Sequence, residues 1–305
     1  MKIVILEAET INPGDLSWEK LEAMGDLRVY PRTEPHQISS RIADAEAVYF
    51  SKLNMTGEIM DAHPSIKFMC VTATGTDNLD IAAAKERGIA CTNVPGYATD
   101  AVAQHTFALI LEATNHVGLH NAHVHGGGWD REKGFCYWLK PLHLLKDKTL
   151  GIVGYGSIGK KVAAIGEAFG MNVNIYSRAP EEALASDFVS LHIPATPETK
   201  HFINKDTISQ MKDGACLINT ARGSLVKEDD LADALRSGKI TVFATDVLSH
   251  EPPVNGSPLM GMDNCIITPH NAWCPQETRD IICTLCADNL SSWLSGGTLN
   301  RVDLD

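Results

Sequence analysis

Short apolar runs alternate with amphipathic stretches along the chain, which is the pattern of βα units around a parallel sheet. Four of the runs precede the glycine-rich segment GYGSIG, and six begin at it or follow it. This grouping predicts two α/β lobes. The predicted strands are KIVIL, AVYFS, IKFMCVT, IACTNV, TLGIVG, NVNIYS, DFVSLHI, ACLINTA, TVFATDVL and CIITPH.

Two longer stretches predict helices that connect the lobes. The first covers about residues 99–120, where Thr99 or Asp100 could cap the helix with a side-chain oxygen. The second covers about residues 276–295 and leads back to the first lobe near the C-terminus.

The simplest assembly of these elements inserts the second lobe into the first. It places residues 1–98 and 276–305 in one domain and residues 99–275 in the other. Because ligands bind preferentially at domain interfaces, we expect the binding site in the cleft between the lobes.

The segment LGIVGYGSIGKKVAAIGEAFG combines a strand, a glycine turn and a helix. Gly154, Gly156 and Gly159 form the pattern G-x-G-x-x-G. The first glycine permits a tight turn, the second lets the backbone approach a pyrophosphate, and the third lets helix and strand pack closely. The helix N-terminus adds N–H donors and a positive dipole end. In this context the segment predicts a dinucleotide-binding site.

The next strand ends with Ser177 and Arg178, where an NAD site usually carries an Asp or Glu that binds the ribose 2′-hydroxyl. A hydroxyl and a guanidinium suit a 2′-phosphate, which a carboxylate would repel. The pair therefore favours NADP. NAD stays open as the alternative, in which Arg178 is solvated, Ser177 is neutral, and the nearby Glu181 and Glu182 partly cancel the positive field.

Composition narrows the class of protein. The chain has 305 residues, enough for two domains, and a formal net charge of -12 without a basic stripe, which argues against binding to nucleic acid. The apolar run in MKIVILEAE is too short for a signal peptide, and no window approaches a membrane span. The eight cysteines follow no framework spacing. We therefore expect a cytoplasmic protein.

Three further stretches each place a polar residue after an apolar strand, where ligands bind in an open α/β sheet. Arg222 lies in INTARGSLV, Glu251 in ATDVLSHEPP and His270 in IITPHNAW. An arginine can hold a carboxylate bidentately and polarise a neighbouring carbonyl. A histidine can give or take a proton near neutral pH, and a glutamate beside it would fix its orientation.

Several longer segments extend this pattern: ATGTDNLDIAAAKERGIACTNVPGYATDAVAQHTFALIL, KTLGIVGYGSIG, SDFVSLHIPATPETKHFIN and LINTARGSLVKEDDLADAL. With them the sequence resembles the D-isomer-specific 2-hydroxyacid dehydrogenases over essentially its whole length. The resemblance implies a Rossmann-type doubly wound cofactor domain inserted into a flavodoxin-like substrate domain, NAD(P)-dependent oxidoreductase activity and a homodimer. Within the family, NPGDLSW, FCYW and PHNAW imply a substrate such as hydroxypyruvate or glyoxylate.

The resemblance also implies roles for individual residues. Arg222 matches the substrate-binding arginine, His270 the acid–base and Glu251 its carboxylate partner. The backbone N–H groups of Thr74 and Gly75 match the loop that holds the substrate carboxylate. Other residues are assigned to the cofactor, either because they match contacts in the family or because they belong to the glycine motif and the end of the following strand. They are Thr106, Gly154, Gly156, Ser157, Ile158, Gly159, Ser177, Arg178, Thr220, Ala221 and Asp246.

The sequence departs from the family pattern at two places. Ser177 replaces the usual acid, and the segment between Arg178 and SDFVSLH is shorter than expected, which removes part of the wall on the adenine side.

Lys52, after AVYFS, is either solvated or helps to attract the substrate carboxylate.

Two other functions stay open. A cofactor-sensing corepressor of the same fold would need a peptide-docking surface and extended tails, whereas this chain ends at Asp305 soon after the last predicted helix. Phosphoglycerate oxidation would need a basic cluster in the substrate domain, for which Lys52 and Arg32 alone are not convincing.

A histidine cluster and a C-x-x-C pair contain residue types that can bind metals, but we predict structural roles for both. His116, His120, His123 and His125 lack an adjacent carboxylate, so we predict no metal site there. The resemblance places segment 116–145 at the dimer interface with Tyr137 and Trp138, and Trp138 could alternatively reach the partner's substrate pocket. Cys283 and Cys286 form C-x-x-C within a helical pattern and are interpreted as core thiols.

Overall fold

The computed structural model describes residues 1–130 and 133–304. They fall into two compact units, one formed by Met1–Tyr97 and Cys274–Asp305 and the other by Ala98–Trp273. Each unit contains one parallel sheet with helices in the connections between its strands. The fold is therefore α/β, as the alternation of apolar runs predicts.

The first unit has a five-stranded sheet in the order β2-β1-β3-β4-β5. All residues of β3, β4 and β5 are buried, as is usual for parallel strands covered on both faces. The elements of this unit are β1 (Lys2–Ile5), α1 (Glu19–Glu22), β2 (Asp26–Val29), α2 (Ile38–Ile42), β3 (Ala47–Phe50), α3 (Gly57–Ala62), β4 (Phe68–Val71), α4 (Ile81–Glu86), β5 (Ala90–Thr92) and α11 (Gln276–Leu294).

The second unit has a six-stranded sheet in the order β11-β10-β9-β8-β6-β7. The chain moves outward from β6 to β7 and then returns to place β8 on the other side of β6. The elements are α5 (Thr99–Asn115), α6 (Val117–His125), β6 (Thr149–Val153), α7 (Ser157–Ala168), β7 (Asn172–Ile175), α8 (Pro180–Leu184), β8 (Phe188–Leu191), α9 (Lys205–Gln210), β9 (Ala215–Asn219), α10 (Glu228–Ser237), β10 (Ile240–Thr245) and β11 (Cys265–Ile267).

This reversal of direction between β6 and β8 creates a topological switch point. In open α/β sheets the crevice outside the carboxyl ends of the strands at such a point is where ligands bind. Gly154 follows β6, and His192 follows β8. The glycine turn therefore lies at the position where this fold class places its ligand.

The helix predicted over residues 99–120 is shorter in the structure. It ends at Asn115 because His116 adopts a left-handed backbone with φ +49°, and α6 begins after it. The cap was also predicted wrongly, since Ala98 occupies the N-cap and the helix has no side-chain cap hydrogen bond.

Strand β2 is absent from the predicted set. It lies at the edge of its sheet, and among the described strands it pairs only with β1. Three of its four residues are exposed, and Asp26 and Arg28 interrupt the apolar pattern. An edge strand of this kind needs few apolar residues, so the apolar runs did not reveal it.

Candidate active site

The glycine turn between β6 and α7 has the geometry of a pyrophosphate cradle. Gly154 has φ +102°, and a Cβ on it would come within 2.5 Å of the carbonyl group of His192. A Cβ on Gly159 would overlap the carbonyl oxygen of Gly154, whereas a Cβ on Gly156 would meet no atom within 4 Å. Packing thus requires two of the glycines, and the third leaves open space beside the backbone, which fits a dinucleotide.

The N-terminus of α7 completes this turn. Gly156 is the N-cap, and the helix starts with Ser157 and Ile158. No side chain caps this end. The first N–H groups of a helix without such a cap are available to an anion, and Ser157 and Ile158 lie at this end of the helix.

His192 belongs to the same turn, although the sequence did not reveal it as a site residue. Its N–H donates to the Val153 carbonyl at 2.6 Å, and its Nε2 lies 2.9 Å from the Ser190 hydroxyl. Burial lowers the pKa of His192 to about 4, so the ring is neutral near pH 7. Its position directly after an apolar strand is the signal that could have found it.

Ser177 and Arg178 follow β7, the edge strand on this side of the sheet. They lie in a turn closed by the Arg178 N–H, which donates to the Ile175 carbonyl at 2.9 Å, and both side chains are exposed. The short segment after them forms α8. This helix packs closely on β6, because a Cβ on Gly151 would overlap the Ala183 carbonyl oxygen.

Arg222, Glu251 and His270 follow three adjacent parallel strands, β9, β10 and β11. His270 Nδ1 lies 2.5 Å from Glu251 Oε2, and the Leu248 N–H donates to Glu251 Oε1 at 2.8 Å. Arg222 is exposed, with one guanidinium N–H donating to the Ala221 carbonyl at 2.8 Å. The structure thus forms the predicted histidine–carboxylate pair and places the arginine at the same sheet edge.

Asp246 shapes the loop that carries His270. This carboxylate is buried, and it accepts the Thr268 hydroxyl at 2.6 Å, the Asn271 N–H at 2.9 Å and the Ala272 N–H at 2.8 Å. The Asp246 carbonyl also accepts the His270 N–H at 2.9 Å, and His270 itself has φ +53°. The aspartate predicted to lie near the cofactor therefore fixes the backbone conformation of the predicted acid–base residue.

His105 on α5 supports the same loop and was not predicted. Its Nε2 lies 2.9 Å from the Thr268 hydroxyl and 3.6 Å from Asp246 Oδ1. Because the Thr268 hydroxyl gives its single proton to Asp246, His105 Nε2–H is the donor in its bond with Thr268. Nothing in the sequence marks this contact, since it joins a helix to a loop far along the chain.

Thr106 and Thr220 form a buried pair of hydroxyls. Their oxygens lie 3.0 Å apart, and the Thr106 hydroxyl donates to the Val102 carbonyl at 2.8 Å, so Thr220 donates to Thr106. The Ala221 N–H donates to Asn219 Oδ1 at 3.0 Å. The hydroxyl of Thr106 thus serves to orient the segment after β9.

The remaining predicted residues lie in the first unit. The N–H groups of Ser51, Lys52 and Leu53 all donate to Glu7 Oε2, at 2.8, 2.9 and 3.2 Å, while the Lys52 side chain is exposed. The Thr74 hydroxyl donates to the Val94 carbonyl at 2.9 Å. In the part of the chain that the structure describes, the N–H groups of Thr74 and Gly75 have no acceptor.

Histidines of the segment 116–125 form hydrogen bonds with backbone groups of the protein. The described residues contain no group of His, Cys, Asp or Glu side chains that could hold a metal ion. His120 Nδ1–H donates to the His116 carbonyl at 2.8 Å, and its Nε2 accepts the Leu139 N–H at 3.1 Å. Both ring nitrogens therefore hold backbone groups together.

All eight cysteines are free thiols, and Cys283 and Cys286 are buried on α11. Burial, reinforced by the charge of Asp280, raises the pKa of Cys283 to about 12, which suits a core thiol. Within residues 1–130 and 133–304, no helix has the length and apolar character needed to cross a membrane.

Comparison with known proteins identifies the class. Residues 107–272 match the family model described as D-isomer specific 2-hydroxyacid dehydrogenase, NAD binding domain. The chain belongs to this family and is an oxidoreductase of the Rossmann type. It is 42% identical to a hydroxypyruvate reductase of Blautia hydrogenotrophica over 321 aligned positions, which cover 99% of this chain and 100% of the relative.

Two further proteins are similar along nearly all of the chain. A glycerate dehydrogenase of Methylorubrum extorquens is 35% identical over 313 positions, covering 99% of both chains. The solved structure of an acyclic imino acid reductase in complex with NADPH and D-Arg superposes with a TM-score of 0.85 at 26% identity, covering 99% of this chain and 100% of that one.

Proposed function

We propose that this protein reduces hydroxypyruvate, or glyoxylate, to the corresponding 2-hydroxyacid with a reduced nicotinamide cofactor. The observation that carries the proposal is the bond between His270 Nδ1 and Glu251 Oε2, at the sheet edge that also carries Arg222. The names of the hydroxypyruvate reductase and glycerate dehydrogenase relatives support this choice of substrate.

The protein's own residues supply the proton and the orientation. When bound, the reduced nicotinamide supplies a hydride to the carbonyl carbon. His270 donates a proton to the carbonyl oxygen, so that hydride and proton together convert the ketone to an alcohol and leave the imidazole neutral. Because Nδ1 is held by Glu251, Nε2 is the nitrogen that donates.

The substrate carboxylate needs fixed donors. We assign Arg222 to it, because a guanidinium can form two parallel bonds to a carboxylate and polarise the adjacent carbonyl. We also assign to it the N–H groups of Thr74 and Gly75, which find no acceptor among the described residues. Lys52, with its exposed ammonium group, adds positive charge to the first unit.

For the cofactor we propose NADPH, with NADH as the alternative. Ser177 and Arg178 stand where a carboxylate would otherwise exclude the 2′-phosphate. The NADPH-bound imino acid reductase supports the use of this fold with the phosphorylated cofactor. Thr106, Thr220, Ala221 and Asp246 are proposed to line the nicotinamide side.

We further propose a cytoplasmic homodimer held by segment 116–145, of which residues 131 and 132 lie outside the described part. This segment concentrates exposed apolar side chains, including Phe135 at 93% and Leu144 at 80% exposure. Large apolar side chains in contiguous patches of this kind mark protein interfaces. Eight free thiols fit a reducing compartment.

A substrate matrix tests the activity. The full chain is assayed with NADH and NADPH against hydroxypyruvate, glyoxylate, pyruvate and phosphohydroxypyruvate, and His270→Ala protein prepared in parallel controls for contaminating reductases. We expect the highest kcat/KM with hydroxypyruvate or glyoxylate. A clear preference for phosphohydroxypyruvate, or equal rates in the control, would contradict the proposal.

A further inference from the structure

Two cationic side chains converge on one aromatic ring beside the glycine turn. The guanidinium carbon of Arg178 lies over the Tyr155 ring, 5.3 Å from its centroid. Lys160 Nζ lies over the same ring at 5.9 Å. Tyr155 lies in the turn, Lys160 in the first turn of α7 and Arg178 after β7. Three separate elements thus bring two positive charges to one ring.

Acidic side chains do not neutralise these charges. Among the described residues, neither Arg178 nor Lys160 forms an ion pair. Glu181 and Glu182 lie close to Arg178 in sequence but do not pair with it. The next lysine, Lys161, is different, because its Nζ pairs with Asp100 Oδ1 at 2.8 Å. The positive end of the α7 dipole adds to the local field. The site is therefore suited to an anion.

We propose that Tyr155, Lys160 and Arg178 form a subsite that binds the 2′-phosphate of the cofactor, with Tyr155 as the positioning residue. An aromatic ring attracts a guanidinium to its face and leaves N–H groups free to bind phosphate oxygens in pairs. The ammonium group of Lys160 provides a second, less directional charge. The inference rests on the proposed dinucleotide site and specifies how that site recognises the phosphorylated form.

Calorimetric titration of the full chain with ADP-ribose and with 2′-phospho-ADP-ribose tests the subsite without any turnover. We expect the wild type to bind the phosphorylated compound more tightly. Arg178→Ala should reduce this preference about tenfold, since the lost bond is charge-assisted, and Lys160→Ala should reduce it about threefold. Each change should reduce the affinity for 2′-phospho-ADP-ribose more than the affinity for ADP-ribose. Lys161→Ala, which removes a lysine already paired with Asp100, should leave the preference unchanged.

Substitutions of Tyr155 test whether its ring positions the two cations or is needed only for folding. Tyr155→Leu should reduce the preference about threefold, whereas Tyr155→Phe should retain it, because the ring face attracts the cations. If circular dichroism shows that Tyr155→Leu does not fold, Tyr155→Phe and Arg178→Ala together test the subsite. Equal affinity of the wild type for both compounds, or an unchanged preference in Arg178→Ala, would overturn the subsite and leave the reductase proposal intact. Absence of binding to both compounds would overturn the dinucleotide site itself.

Discussion

Glu251 holds His270 through a 2.5 Å contact between Oε2 and Nδ1, while its other oxygen accepts the N–H of Leu248. The carboxylate is thereby anchored to the backbone on one side and to the imidazole on the other. This arrangement fixes the orientation of the ring.

Glu251→Gln should lower kcat/KM for reduction by about tenfold or more. The amide keeps an oxygen near Nδ1, but the charge-assisted bond that orients the proton-donating ring is lost. Steady-state assays of hydroxypyruvate reduction compare the two proteins. An unchanged kcat/KM would mean that Glu251 does not act on His270 in solution.

His270→Ala and Arg222→Ala should each lower kcat/KM by about a hundredfold or more, because general acid–base catalysis alone contributes roughly 10²–10⁴-fold. Steady-state assays of 2-ketoacid reduction provide the measurement. Arg236→Ala is the matched control, since this exposed arginine lies on α10 and pairs with Asp233. Near-normal turnover in either site variant would refute the assignment of that residue.

The sequence predicted the features that depend on local pattern. Buried parallel strands such as β3 and β9 are continuous apolar runs, and the chemistry follows them because ligands bind at strand ends. Strand β2 was missed because an edge strand can be polar. The break at His116 was missed because a left-handed residue that is not glycine carries no sequence signature.

Contacts between distant segments could not be predicted. His105 reaches Thr268 across 163 positions of sequence, and each residue alone is unremarkable in its own stretch. The stacking of Arg178 on Tyr155 likewise depends on how β7 and the glycine turn pack in space. Such relations are set by the tertiary fold and not by any spacing in the chain.

Asp187→Asn should reduce stability in a manner that depends on pH. Burial opposes ionisation of Asp187, but bonds from Lys212 and from the N–H and hydroxyl of Thr149 outweigh it and lower the pKa to about 2. A carboxyl with a lowered folded-state pKa stabilises the fold above its unfolded pKa, near 4, and loses that contribution as the pH falls toward 2. We expect a loss of about 1–2 kcal/mol near pH 7, allowing for partial exposure.

Urea unfolding of both proteins at several pH values measures this effect. The difference in free energy of unfolding between wild type and Asp187→Asn should shrink between about pH 4 and pH 2. Asp233→Asn is the control, because this aspartate is exposed and pairs with Arg236 on the helix surface. A difference that stays constant over this range would show that the charge of Asp187 does not stabilise the fold.

Segment 116–145 should hold the dimer. Phe135→Asp combined with Leu144→Asp places two charges in the most exposed apolar part of the segment, and a desolvated charge without a partner disfavours association. We expect a dimer for the wild type and a monomer for the variant in sedimentation at micromolar concentration. Val254→Asp, 83% exposed outside the segment, should remain dimeric. A monomeric wild type would refute the proposal.

Ser177→Asp should change the cofactor preference. The side chain of Ser177 is exposed shortly after β7, at the position where a ribose-binding acid is expected. A carboxylate there would repel a 2′-phosphate and accept a 2′-hydroxyl, and a difference of about 1.4 kcal/mol corresponds to a factor of ten. We therefore expect the NADPH to NADH ratio of kcat/KM to fall by about tenfold or more. Ser209→Asp adds the same charge at an exposed position on α9 and should leave the ratio unchanged. A wild type that prefers NADH tenfold, with no response to Ser177→Asp, would establish NAD as the cofactor and place the ribose away from the end of β7.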